Sequence, residues 1–191
     1  MINHRHFKLF KPYGYLSQFH TNAKHERNKK FLGELYPFPK NSMAIGRLDK
    51  DSEGLLLLTT DGQVSNHITS SKTEKEYYVQ VDGEITVNAI EQLKTGVLLS
   101  HKSETYTTKS TKVFKISEIP NFPERAKKIR DERHGKTSWI SITINEGKFR
   151  QVRKMTAKVG FPTLRLIRVR VGNISLLDLK PGEVKELDKL I

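Results

Sequence analysis

The chain has 191 residues and no cysteine. That excludes disulfides, cysteine-ligated zinc and thiol chemistry. There is one tryptophan, Trp139, and aromatics make up only 8%, so no aromatic platform for a sugar is encoded. Long apolar runs are missing. The longest purely aliphatic stretch is Leu55 to Leu58, far short of the roughly 20 residues of a membrane-spanning helix. The opening Met1-Ile2-Asn3-His4-Arg5-His6 lacks the apolar region of a signal peptide. No heptad series and no repeat of about 20–50 residues is found. These absences point to a soluble, cytoplasmic protein with no membrane partner.

Negative charge is also scarce. There are 34 Lys+Arg against 21 Asp+Glu, a formal net charge of +13. The excess is uneven: residues 1–50 carry 10 basic against 3 acidic side chains, and residues 121–170 carry 14 against 4. Residues 51–120 carry 7 against 10, and residues 171–191 carry 3 against 4. Two basic segments around an acidic middle suggest a face for a polyanion, and nucleic acid is the expected partner. Hydrophobic residues at 36% suffice for a core, in one domain or two small lobes sharing an interface.

Strand patterns outnumber helical ones. Phe7 to Phe10, Met43 to Arg47, Leu55 to Thr59, Lys75 to Val81, Thr111 to Ile119, Ser138 to Asn145 and Leu164 to Val171 read as strands. Tyr15 to Phe19 is expected to resume the first strand after the Lys11-Pro12-Tyr13-Gly14 turn. Ile174 to Leu179 and Val184 to Leu187 are expected to close a small meander. Gln63 to Thr69, Val87 to Lys94 and Phe149 to Val159 read as helices, with a helical turn at Phe31 to Leu35. His20 to Lys30 reads as a mobile polar loop, and 120–136 as a basic loop insertion with some helix. Short connections favour an α+β fold with a mixed, mostly antiparallel sheet flanked by helices.

The densest chemical signal is Gly46-Arg47-Leu48-Asp49-Lys50-Asp51-Ser52-Glu53-Gly54, directly before the apolar run. A carboxylate so near a core strand is costly unless something pairs with it. If the chain runs extended, Arg47 and Asp49 share one side and Leu48 anchors the other. A calcium loop is a competing reading, because Asp49, Asp51, Glu53 and Gly54 have the right early spacing. It fails at its closing position, where Thr60 replaces the required glutamate. A glycosidase carboxylate pair drawn from Asp49, Asp51 and Glu53 is another. In Lys75-Glu76-Tyr77-Tyr78-Val79 the two tyrosines face opposite ways, so at most one enters a site; Tyr78 reads as a core aromatic. In Glu146 to Met155 a helical wheel gathers Val152, Met155 and Val159 on one side. Arg150, Lys154 and Lys158 lie opposite, with Arg153 at the border.

Together these stretches resemble the pseudouridine synthases of the RsuA/RluB/RluE group. Gly46 to Gly62 resembles their signature motif, Lys11 to Gly14 their first motif, Lys75 to Tyr77 their Lys-x-Tyr motif and Glu146 to Met155 their basic helix. All four occur in family order over nearly the whole chain. Ser138-Trp139, Arg150 to Arg153 and Gly160 to Arg168 resemble the branch acting on large-subunit ribosomal RNA. The resemblance implies a pseudouridine synthase fold: a single catalytic domain over 1–191, two lobes around a central active-site cleft, with no room for the N-terminal S4 domain of many relatives. It implies that Asp49 is the essential catalytic aspartate, that Tyr77 stacks on the target base and helps remove the C5 proton, and that Arg153 pairs with Asp49. Arg47 would hold the flipped nucleotide, and Lys11, Lys75, Arg150, Lys154 and Lys158 would contact RNA. No cofactor, metal or ATP is implied. The partner would be 23S ribosomal RNA or an assembling particle, met by a monomer. Asp49 would either attack C1′ or remove the ribose 2′ proton; the residues leave both routes open. A non-catalytic RNA-binding assembly protein is the competing expectation, since charge alone does not separate the two.

Overall fold

The computed structural model describes residues 4–26, 28–70, 73–101, 104–109, 111–130, 132–177 and 179–190. The chain divides into two compact units. One comprises Met1–Thr73, Pro123–Lys127 and Arg168–Ile191; the other comprises Glu74–Phe122 and Lys128–Ile167.

The first unit is built on β1 (His6–Lys11), β2 (Met43–Ile45) and β3 (Glu53–Thr59). It also holds the second half of β9 (Thr163–Val171), β10 (Ile174–Ser175) and β11 (Val184–Leu187). β1 is interior, antiparallel to β3 (Phe7 opposite Leu58, Lys11 opposite Gly54) and to β11 (His6 opposite Leu187). β2 adds antiparallel to β3, and β10 to β9. Every residue of β3 is buried. A strand covered on both faces needs an unbroken apolar run rather than alternation, which is why Leu55 to Leu58 reads as it does. Phe7, Leu9, Leu32, Leu56 and Leu58 form the core, with Phe19, Leu35, Tyr36 and Phe38 packed on it. Helix α1 (Gly62–Ser70) starts at Asp61, whose Oδ1 accepts the Gln63 amide at 2.8 Å.

The second unit contains β4 (Lys75–Asp82), α2 (Val87–Thr95), β5 (Leu98–His101) and β6 (Glu104–Thr107). Then follow β7 (Lys112–Ile116), β8 (Thr137–Ile144), α3 (Gln151–Lys158) and the first half of β9. β8 is central and antiparallel to both β4 and β7. The expected alternation on β4 holds: Tyr77, Val79 and Val81 are buried, and Tyr78 and Gln80 less so. On β8 the residues from Ser138 to Ile144 are all buried, because both faces of this strand are covered. Gly96 ends α2 at φ +119°, and a Cβ there would lie 2.5 Å from the Thr108 carbonyl oxygen. Only glycine fits that close approach.

The structure departs from the sequence expectations at four places. Tyr15 to Phe19 is not a strand; only an isolated parallel bridge joins Tyr15 to Lys30. β11 does not pair with β10 to close a meander but returns to the edge of β1. The antiparallel hairpin β5–β6 was not expected, since its strands are four residues each and largely polar. α3 begins two residues later than expected, at Gln151. Within the expected polar loop, the Glu26 carboxylate accepts from Thr21 Oγ1 at 2.7 Å and Gln18 Nε2 at 3.1 Å.

Candidate active site

The Asp49 loop belongs wholly to the first unit. Gly46, at φ +68°, turns the chain out of β2, a backbone state glycine adopts without strain. The loop alternates as expected: Arg47 is exposed, Leu48 buried and Asp49 half-buried. The backbone around it is pinned. Ser17 Oγ donates to the Leu48 carbonyl at 2.8 Å and accepts from the Leu48 amide at 2.9 Å. Gly14 N donates to Lys50 O at 2.8 Å, and Ser52 N to Asp49 O at 3.0 Å. Arg47 Nη2 donates to Gln18 Oε1 at 2.7 Å. The turn after β1 is thus a splint for the loop: Gly14, Ser17 and Gln18 hold the backbone or side chain of the residues on either side of Asp49. Ser17 and Gln18 were missed by sequence reasoning, because nothing local marks a partner about thirty positions away.

Lys11 corrects an expectation. Read as an RNA contact, it is instead fully buried. Its Nζ donates to Tyr15 O at 2.8 Å and Pro12 O at 3.0 Å. A phosphate cannot reach it. Burial lowers its pKa to about 7, against the pull of Glu53, Asp51 and Asp49, while the Arg168 cation pushes the same way as burial. Glu53 is 1% exposed and Arg168 is 3% exposed, with Arg168 Nε donating to the Leu55 carbonyl at 2.7 Å. The Asp49 loop is therefore rooted in a buried cluster of mixed charge. This placement also disposes of the glycosidase and calcium readings that used Glu53, a carboxylate shut inside the first unit. Among the described residues no group of three or more His, Cys, Asp or Glu could hold a metal ion, and no helix is long and apolar enough to cross a membrane.

The other expected residues lie in the second unit. Tyr77 is 8% exposed in the middle of the sheet, opposite Ile142 on β8. Tyr78, read as a core aromatic, is only half-buried, and Tyr77 is the tyrosine in the core; Tyr78 packs edge-on against Phe122 at 6.1 Å, and Phe122 in turn meets Trp139 at 6.3 Å. Those contacts anchor the start of the basic insertion, and Arg130 pairs with Asp82 further along it. Trp139 is buried in this cluster, so it offers no sugar platform. Lys75 opens β4 opposite Ile144.

α3 carries the basic motif. Val152 and Met155 are buried and Lys158 is exposed, as the wheel places them, but Arg153 and Lys154 are both half-buried, and Arg150 and Val159 lie outside the helix. Gln151 and Thr156 are buried as well. Gln151 Oε1 accepts the Lys148 amide at 3.0 Å, and its Nε2 donates to Glu146 Oε1, closing the turn that enters the helix. Arg150, which precedes α3, sits at φ +50°, ψ +34°.

A family model described as RNA pseudouridylate synthase matches residues 6–158. The chain is 44% identical over 179 residues to ribosomal large subunit pseudouridine synthase E of Vibrio parahaemolyticus, a match spanning 93% of this chain and 71% of that protein. It is 41% identical over 177 residues to the protein of the same name from Xanthomonas campestris, spanning 92% and 91% respectively. Among solved structures, a crystal structure of a pseudouridylate synthase matches with a TM-score of 0.76 at 28% identity, over 98% of this chain and 71% of that one.

Proposed function

The chain belongs to the RNA pseudouridylate synthase family, and from that membership we propose that it converts a specific uridine of large-subunit (23S) ribosomal RNA to pseudouridine, using Asp49 and no cofactor. The observation that carries the substrate assignment is the 44% identity over 93% of the chain to a relative named for the large subunit.

The chemistry is an isomerisation, so no group is gained or lost. The bond from N1 of the base to C1′ breaks, the base turns within the pocket, and C5 bonds to C1′. The proton leaves C5 and N1 gains one. The target must first leave its stack, at a cost of a few kcal/mol. Arg47, exposed beside Asp49 and steadied by Gln18, is suited to hold the extruded nucleotide. Asp49 acts as an ionised carboxylate, and Arg153 supplies a guanidinium that stabilises that charge. Tyr77 offers a ring to stack on the base and a phenol to assist removal of the C5 proton. The splinted loop supports this reading, because a carboxylate on a hydrogen-bonded backbone needs less reorganisation in the transition state. Lys75, Arg150, Lys154 and Lys158 supply phosphate contacts. The enzyme works as a cytoplasmic monomer on ribosomal RNA or an assembling particle.

Pseudouridine has the mass of uridine, so the test is chemical labelling of ribosomal RNA from cells lacking the protein. One pseudouridine should vanish from the large-subunit RNA and return with a wild-type copy. Loss from small-subunit RNA, or no loss in any RNA, would overturn the assignment.

A further inference from the structure

Phe149 is 61% exposed. A lone exposed phenylalanine needs no explanation, but this one stands where three other features converge. It lies within Lys148 to Lys158, eleven residues with five cations (Lys148, Arg150, Arg153, Lys154 and Lys158) and no acid. It directly precedes Arg150, the one non-glycine residue with positive φ among those described. A left-handed residue with a long side chain is strained, and here the strain separates an exposed Lys148-Phe149 pair from the buried Gln151-Val152 pair. The Gln151 side chain locks that turn through Lys148 N and Glu146. The exposure of the ring is therefore imposed by the backbone. Finally, the ring has one ammonium against it: Lys154 Nζ lies over it, 5.5 Å from its centroid and 3.4 Å from Ser100 O, while the neighbouring Lys148 Nζ stands 3.3 Å over the Tyr106 ring.

We propose that Phe149 is a stacking platform for an unpaired base of the RNA substrate, with the neighbouring cations taking the phosphates on either side. An exposed ring beside ammonium and guanidinium side chains is what a single-stranded segment requires: ring against base, cation against backbone. Duplex RNA keeps its bases stacked and offers nothing to the ring. The inference rests on the RNA-modifying reading above and adds a recognition residue to it, outside the reacting nucleotide.

The test uses two fluorescein-labelled probes, a 12-nucleotide oligouridine and a blunt RNA duplex of equal length. Phe149→Ala should weaken oligouridine binding roughly 5- to 100-fold, the range expected for losing one base–aromatic stack, and leave duplex binding unchanged. Phe149→Leu should behave like alanine, since it keeps bulk and loses the π-face. Phe149→Trp should restore affinity, and its added emission should be quenched when oligouridine binds. The slope of log affinity against log salt should match wild type in all three variants, because the ring carries no charge. On a large-subunit ribosomal RNA transcript, Phe149→Ala should raise KM with kcat nearly unchanged. The inference is overturned if Phe149→Leu binds as wild type does, or if duplex and oligouridine affinities fall together. Wild-type protein inactive on the transcript would instead count against the substrate assignment, leaving the oligouridine result to judge the ring.

Discussion

Lys11 is the residue whose role the structure changes most. The sequence shows a lysine in a basic segment, and lysines are almost always at the surface. Burial in β1 next to Glu53 and Arg168 is decided by tertiary contacts that no local pattern reveals. Its titration has a measurable consequence. Unfolded, the ammonium has its ordinary pKa of 10.5; folded, burial brings it to about 7. Between those values the unfolded state holds the extra proton, so stability should rise with pH across that window, by at most about 1.4 kcal/mol per pH unit. Below pH 7 the ammonium is charged in both states and the burial penalty is present in full. Thermal midpoints of wild type and Lys11→Met measured from pH 7 to 10 should diverge in slope, the variant lacking the rise that Lys11 contributes. Parallel curves would show that Lys11 does not titrate in this range.

At the scale of elements, the Asp49 loop depends on the turn after β1. Ser17 is the joint: one hydroxyl satisfies both backbone groups of Leu48. Ser17→Ala would leave a buried amide and carbonyl without those partners, costing about 1–3 kcal/mol of stability. It should also lower kcat about 10- to 100-fold through misplacement of Asp49, while RNA affinity stays near wild type; single-turnover assays at saturating enzyme separate the two. Unchanged kcat would mean the loop holds its shape without Ser17. Elements of this kind divide sharply in how far the sequence reveals them. β3 and β4 were legible because an unbroken apolar run and a clean alternation each have one structural meaning. α3 was legible from the spacing of Val152 and Met155, though not its start, which the left-handed Arg150 delays. The β5–β6 hairpin was not, since four-residue polar strands carry too little periodicity. Nor was the pairing of β11 with β1, which joins the two ends of the chain. At the candidate site, the motif residues were singled out by resemblance, whereas Ser17, Gln18 and the burial of Lys11 belong to long-range packing.

For the whole molecule, charge sets how RNA is met. Binding should weaken with salt, with a log–log slope of about −0.7 for each single-stranded phosphate contacted. Lys158, exposed at the end of α3, should account for one such contact. Lys158→Ala should weaken binding to all RNA sequences alike and reduce the magnitude of the slope by about 0.7; an unchanged slope would remove Lys158 from the interface. Catalysis is a separate matter, and the proposal places it on one carboxylate, Asp49. Because C5 loses its hydrogen when it joins the ribose, tritium at C5 of uridine in large-subunit ribosomal RNA is released to water at each turnover. The most direct measurement compares that release by wild type and by Asp49→Asn, alongside their affinities for the same RNA. Release should fall to background in the variant while affinity changes little; tritium release by Asp49→Asn at a rate near wild type would contradict the account.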